Sequence, residues 1–188
     1  LERIAGERLD SLAERLVFAP LGMSRTGYAP KGDNIAATMD GPEFLGVVND
    51  YNARYLGVPV GNAGVFSSLR DCGIFARMLL GGGAYGGARV LAPATLAVAA
   101  EDHTPGTGEG RGLGFYRFRR GTNPPAELLS REAFGHSGWT GTSIVADPAL
   151  GLYVVLLTIR TLGENKDPDA IWRARRLVHN AAAAAMTA

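Results

Sequence analysis

Apolar residues recur at helical spacing near the start, the middle and the end of this chain, and they alternate or run together in its final third. Leu1, Ile4 and Ala5 share one helix face, and Gly6 is a natural stop because glycine enters the left-handed conformation freely. Asp10 or Ser11 is placed to cap a second short helix that turns Leu12, Ala13 and Leu16 inward, and Pro20 is expected to end it. Residues 20 to 60 carry little periodicity and read as a long folded excursion. Ser67 and Ser68 then precede a clear helix, with Leu69, Cys72, Phe75, Ala76 and Leu79 on one stripe. Ser68 with Asp71 resembles a capping box, and Gly81, Gly82 and Gly83 stop the helix.

The last third changes period. Tyr116 and Phe118 alternate with Arg117 and Arg119, as in a half-buried strand. Thr142 to Ala146 and Leu152 to Thr158 are β-rich runs joined by Asp147-Pro148-Ala149-Leu150-Gly151, which predicts an antiparallel hairpin. The second run is apolar on both faces, so it is expected to be a central strand covered on both sides. Asp167 as N-cap and Pro168 at the first helical position open a last helix with Ile171, Ala174, Val178 and Ala181 as its apolar stripe. Helices, then an antiparallel sheet, then a helix packed on it make an α+β fold, an antiparallel sheet with flanking helices. No repeat and no linker interrupts the chain, so residues 1–188 read as part of one domain.

Composition narrows the function classes. With 19 basic and 18 acidic side chains the formal net charge is +1, which gives no reason to invoke nucleic acid or an anionic membrane as a partner. The arginines gather at Arg117, Arg119 and Arg120 and again at Arg173, Arg175 and Arg176, and both groups read as solvated faces. Cys72 is the only cysteine and reads as a small core residue, so no internal disulfide forms. No apolar run is long enough for a membrane span. The three histidines show no metal-ligand spacing, and no cofactor is implied.

The sharpest local feature is Phe134-Gly135-His136-Ser137-Gly138-Trp139-Thr140-Gly141, directly before the hairpin. Glycines on a strand edge let another backbone or a substrate come close, and histidine holds or delivers a proton near neutral pH. On composition alone two readings stand: a reactive site, and a tight β-bend around a hydrogen-bonded histidine. Gly135-His136-Ser137-Gly138-Trp139 nearly matches the nucleophile elbow of α/β-hydrolases, but its last residue is not glycine, and a strand leads here into a hairpin rather than a helix. Ser137 is therefore not read as a nucleophile. His103 and His179 are read as ordinary surface or helix residues.

Several ordered segments carry a more specific resemblance. Phe18 to Tyr28 is similar to an aPLGMxxTxF segment, and Gly46 to Ala53 resembles GxVHDxNA with Asn49 in place of His. Gly61 to Ser68 resembles GHAGLFST with Asn62 in place of His, and Phe134 to Thr142 resembles FGHTGxTGT. Asp147-Pro148 and Leu156 to Arg160 resemble the DP and LLTNR that follow. In this order they are the marks of the serine β-lactamase and penicillin-binding-protein family, which includes class C β-lactamases and esterases, and the likeness covers nearly the whole chain.

The resemblance implies an acyl-enzyme hydrolase of esterase, β-lactamase or D-Ala-peptidase type, acting on a small ester, β-lactam or peptide. Family members carry Ser-x-x-Lys, then Tyr-x-Asn, then Lys-Thr-Gly or His-Ser/Thr-Gly. His136-Ser137-Gly138 corresponds to the third; the first two do not occur, and Lys31 and Lys166 are the only lysines. The chain is thus expected to begin just after the second element, as the C-terminal part of the domain, with the N-terminal half of the same protein or a second chain as its partner. By resemblance His136 supports proton transfer, the Trp139 N–H is an oxyanion donor, Ser137 hydrogen-bonds substrate and Gly138 leaves room for it. The alternative is a catalytically inactive module of the same fold that binds or interacts.

Overall fold

The structure is a computed structural model that describes residues 1–32, 34–117, 126–162 and 167–186. Phe118, Arg119, Arg120 and Lys166, named above, lie outside the described residues. The chain forms two compact units, Leu1–Asp71 with Thr161–Lys166, and Cys72–Arg160 with Asp167–Ala188.

In the first unit α1 (Glu2–Ala5) ends at Gly6 with φ 69°, as the stop signal predicts, but Leu1 and Ile4 are exposed. Helix α2 (Leu9–Ala13) begins before the expected caps: Asp10 lies within its first turn and binds the Arg8 guanidinium at 3.1 Å. Pro20 does not end the helical run. A π-helical turn (Glu14–Phe18) leads into α3 (Ala19–Leu21), where Pro20 falls in the opening positions that need no N–H, and Gly22 at φ 68° makes the stop. The π turn brings Phe18 rather than Leu16 inward, so Leu12, Phe18, Leu21 and Met23 are buried while Leu16 is exposed.

The excursion after Pro20 is built from short pieces. Strand β1 (Gly27–Tyr28) pairs antiparallel with β2 (Val65–Phe66), and between them lies α4 (Tyr51–Leu56). Asp50 caps α4 by accepting the Ala53 N–H at 2.9 Å, and Asn49 ties back to the Thr38 carbonyl at 2.9 Å. Helix α5 (Leu69–Leu80) starts on the expected cap, with Ser68 Oγ accepting the Asp71 N–H at 3.2 Å. The Asp71 carboxylate does not close the box. It is buried and accepts the Arg25 N–H at 2.7 Å and the Thr26 hydroxyl at 2.9 Å. Cys72, Ile74, Ala76, Met78 and Leu79 are buried, whereas Leu69 at the helix start is exposed.

In the second unit a small hairpin, β3 (Ala84–Tyr85) with β4 (Ala88–Arg89), precedes α6 (Pro93–Ala100). Periodicity did not reveal α6, because nearly every residue in it is small or apolar. The main sheet holds β5 (Tyr116–Arg117), β6 (Phe134–Ser137), β7 (Gly141–Asp147) and β8 (Leu152–Ile159), antiparallel in the order β5-β6-β7-β8. The predicted hairpin is β7–β8. Among the described residues β8 is an edge strand and not central, with Val154 its one buried residue. An edge that is apolar on both faces is an unpaired surface.

The last helix, α7 (Pro168–Met186), packs on β7 and β8. Its buried face is Ile171, Arg175, His179 and Ala183, spaced four apart; of the predicted stripe only Ile171 is buried, while Val178 and Ala181 are exposed. Ala126, Leu129, Ala133, Val145 and Ala183 form a core against which Tyr116, Leu150 and Leu152 pack. Asp147, fully buried at the end of β7, accepts the Ser130 N–H at 2.7 Å, the Ser130 hydroxyl at 2.5 Å and the Leu150 N–H at 3.2 Å. That accounts for an aspartate at the mouth of the β7–β8 turn, since a buried carboxylate persists where donors surround it. Among the described residues no helix is long and apolar enough to cross a membrane.

Candidate active site

Strand β6 carries the third-motif residues in register with β7, His136 opposite Ile144 and Ser137 opposite Ser143. Phe134 is buried edge-on against Phe115, with ring centroids 5.2 Å apart. Gly135 is required by packing: an added Cβ would collide with the Ile144 carbonyl oxygen. Tyr116 lies across from Gly135, and its ring covers the His136 ring at 4.5 Å.

His136 is exposed on one edge, and its Nδ1 lies 2.8 Å from the Ser137 carbonyl. A carbonyl only accepts, so Nδ1 carries the proton and Nε2 keeps its lone pair. Desolvation lowers the His136 pKa; the bond to Ser137 opposes this and the Arg111 charge adds to it. The neutral ring is therefore favoured, in contrast to a fixed ammonium at this position. Arg111 stands over the Tyr116 ring at 4.5 Å, donates to its hydroxyl at 2.8 Å and pairs with Glu109 at 2.5 Å. Ser137 borders a cavity of about 270 Å³ whose wall includes Arg111, Tyr116 and Trp172.

After Ser137 the chain makes a tight turn before β7. Gly138 N–H donates to the Thr142 carbonyl at 2.8 Å, and Gly141 N–H to the Gly138 carbonyl at 3.1 Å. Two glycines make this possible. A Cβ on Gly138 would strike Thr142 Oγ1, and one on Gly141, at φ +113°, would strike Thr158 Oγ1 and Ile171. Two arginines take up the turn's remaining carbonyls. Arg160 donates its Nε to the Trp139 carbonyl at 2.6 Å and its backbone N–H to the Thr140 carbonyl at 2.8 Å, with its guanidinium 4.0 Å over the indole. Arg175 donates Nε to the Gly141 carbonyl at 2.9 Å and Nη2 to the carbonyls of Thr142, at 3.2 Å, and Gly138. Every carbonyl from Gly138 to Thr142 is thus engaged. The Trp139 N–H has no acceptor among the described residues, and its indole is 75% exposed.

The structure brings His136, Ser137, Gly138 and Trp139 together on one strand and turn. It also adds residues that the sequence reading missed or misplaced. Arg175 is not on a solvated face: it is 3% exposed beneath the turn, 5.3 Å from the Trp172 ring. Arg117 likewise reaches inward, donating to the carbonyls of Ala100 at 3.1 Å and Arg131 at 2.6 Å. Arg173 and Arg176 are exposed as read. His179 is no surface residue. It is fully buried, with Nε2 3.1 Å from Ser143 Oγ, and burial and then Arg175 lower its pKa to about 4. His103 is exposed and bonds the Val98 carbonyl at 2.7 Å. No signal within a few residues marks Arg175 or His179, because their partners lie on β7 and the turn before it. Among the described residues no three His, Cys, Asp or Glu side chains gather as metal ligands would.

Comparison with known proteins agrees with this architecture. A relative from Escherichia coli (strain K12), provisionally named a D-alanyl-D-alanine carboxypeptidase, is 30% identical over 196 aligned positions, which cover 90% of this chain and 44% of the relative. A crystallised β-lactamase from Mycobacterium bovis superposes with a TM-score of 0.67 at 24% identity, over 100% of this chain and 60% of that one. A penicillin-binding-protein homologue from Caulobacter crescentus gives 0.64 at 21% identity, over 96% of this chain and 53% of that one. The chain spans less than half the length of the curated relatives it matches. The Beta-lactamase family model matches residues 1–179, and by that match this chain belongs to the β-lactamase family.

Proposed function

We propose that this chain is the C-terminal part of a serine hydrolase domain and supplies the third catalytic element to a nucleophile carried by the N-terminal half. The reading is supported above all by the Gly138–Thr142 turn, whose carbonyls are all occupied while the Trp139 N–H has no acceptor among the described residues. Acyl transfer places negative charge on the former carbonyl oxygen, and a donor fixed beforehand lowers that barrier without reorganising. The Trp139 N–H is one such donor, and the N–H of the nucleophile is the other. His136, neutral with Nε2 as an acceptor, holds or receives a proton from the relay hydroxyl of the partner half. Ser137, on the wall of its cavity, hydrogen-bonds the substrate, and the bare Gly138 lets the turn close against Thr142. The substrate is a small ester, β-lactam or peptide.

The test is expression of residues 1–188 alone and together with the N-terminal half, followed by ester hydrolysis and sizing chromatography. The chain alone is expected to be inactive and associated, because β8 presents an open edge. The pair is expected to be soluble and active. In the pair His136→Ala should lower acylation by about 10²-fold or more, while Trp139→Phe keeps most of the activity, since only its backbone acts. A crystallised acyl adduct should place its carbonyl oxygen against the Trp139 N–H. A soluble, folded pair without hydrolysis would point instead to a binding module.

A further inference from the structure

The direction of the Trp139 N–H is set by whatever holds the peptide unit to which it belongs. A trans peptide is planar, so the C=O and N–H of one unit point in opposite directions. The Trp139 N–H belongs to the same peptide unit as the Gly138 carbonyl. The Gly141 N–H donates to that carbonyl from within the turn at 3.1 Å, and Arg175 Nη2 donates to it from beneath. Whatever pins this carbonyl inward aims this N–H outward.

We propose that Arg175 is the positioning residue of the oxyanion turn, an inference that rests on the reading of the Trp139 N–H as an oxyanion donor. Its planar fork holds three carbonyls at once, those of Gly138, Gly141 and Thr142, which a single ammonium does not match. Its place is set by the buried face of α7. Ile171 one turn earlier abuts Gly141, and His179 one turn later bonds Ser143, so the three side chains follow the start of β7. Its role goes beyond geometry. A cation bonded to a carbonyl draws electron density through the amide and makes the N–H of that unit a stronger donor. The positive charge, on a side chain only 3% exposed, also lies under the turn whose N–H would meet the developing negative charge. Arg160, stacked on the outer side of the same turn, fixes the Trp139 carbonyl, and Arg175 is the side chain that joins the Gly141 N–H in holding the Gly138–Trp139 peptide.

The experiment uses the complete protein, with both halves, and p-nitrophenyl butyrate as the probe. Arg175→Lys and Arg175→Gly are compared with wild type for kcat and KM, with active sites counted from the p-nitrophenol burst so that only competent molecules enter. Arg175→Gly should lose about 10²-fold in kcat with KM changed by less than about threefold, the scale of losing one oxyanion donor. Added guanidinium ion should restore a substantial part of kcat in Arg175→Gly and none in wild type, an effect that a packing defect does not show. Arg175→Lys, which keeps the charge but not the fork, should fall between the two and carries the test if the glycine variant does not fold. Unchanged kcat per counted site in the variants would overturn the assignment, and so would a loss without guanidinium rescue. The wild-type acyl adduct separates the two layers. An oxygen seated on the Trp139 N–H with unaffected Arg175 variants defeats this inference alone, whereas an oxygen seated elsewhere defeats the oxyanion reading beneath it.

Discussion

Helices α5 and α7 are both amphipathic, yet they bury opposite kinds of side chain. Helix α5 turns Cys72, Ile74, Ala76, Met78 and Leu79 inward, and its one buried charge, Asp71, sits at the first turn and accepts from the Arg25 N–H and the Thr26 hydroxyl. Helix α7 buries Ile171 and Ala183 but places Arg175 and His179 between them. The difference follows from what each helix faces. Apolar neighbours ask only for matching volume, whereas a turn of carbonyls and a buried serine ask for donors and acceptors. So α5 works as packing, and the middle of α7 works as a hydrogen-bonding scaffold for the start of β7.

That contrast can be broken at three points. The largest effect on stability is expected at Met78, 1% exposed on α5: Met78→Ala should cost about 2–5 kcal/mol in urea unfolding. Its kcat per active site should stay at the wild-type level; a loss of kcat there would mean that α5 also shapes the site.

His179 on α7 should make stability depend on acid. Burial, and then Arg175, hold its folded pKa near about 4 against an ordinary value of 6.5. The unfolded state therefore takes up the proton first as pH falls. The stability that the neutral ring contributes is present above pH 6.5 and is lost between there and about pH 4, a change of about 3 kcal/mol. Urea midpoints at pH 7, 5 and 4 should follow this slope, and His179→Gln should flatten it. An equal slope in both proteins would place the titration elsewhere.

The smallest effect is expected on the outer face of the same helix. Arg176 pairs with Glu127 at 2.6 Å, but the arginine is half exposed, so Arg176→Ala should change stability by less than about 1 kcal/mol and leave kcat alone. The three neighbouring arginines Arg173, Arg175 and Arg176 would then divide by burial rather than by residue type. A large effect at Arg176 would erase the distinction between the two faces of α7.

The candidate site was legible in part. His136, Ser137, Gly138 and Trp139 stand in one short motif, so its place before a hairpin was visible from local spacing. The same holds for the β7–β8 hairpin and for the Ser68 cap of α5, since each depends on residues that are neighbours in the chain. The stripe of α7 was misread because apolar periodicity detects burial against apolar partners only. Pro20 was misread because its cost depends on where in the helical run it falls.

By itself the sequence determined the α+β order of elements, the β7–β8 hairpin and the family to which the chain belongs. Each of these follows from short-range periodicity, caps and turns, or from motifs whose order survives without coordinates. Only the tertiary structure decided that Arg175 lies under the Gly138–Thr142 turn, that His179 is buried and neutral, and that β8 is an edge strand among the described residues. The side chains that donate to the carbonyls of Trp139 and Gly138 come from 21 and 37 residues away, as Arg160 and Arg175. No local rule sees such a partner, because a polar side chain looks solvated until the fold shows which backbone it must satisfy.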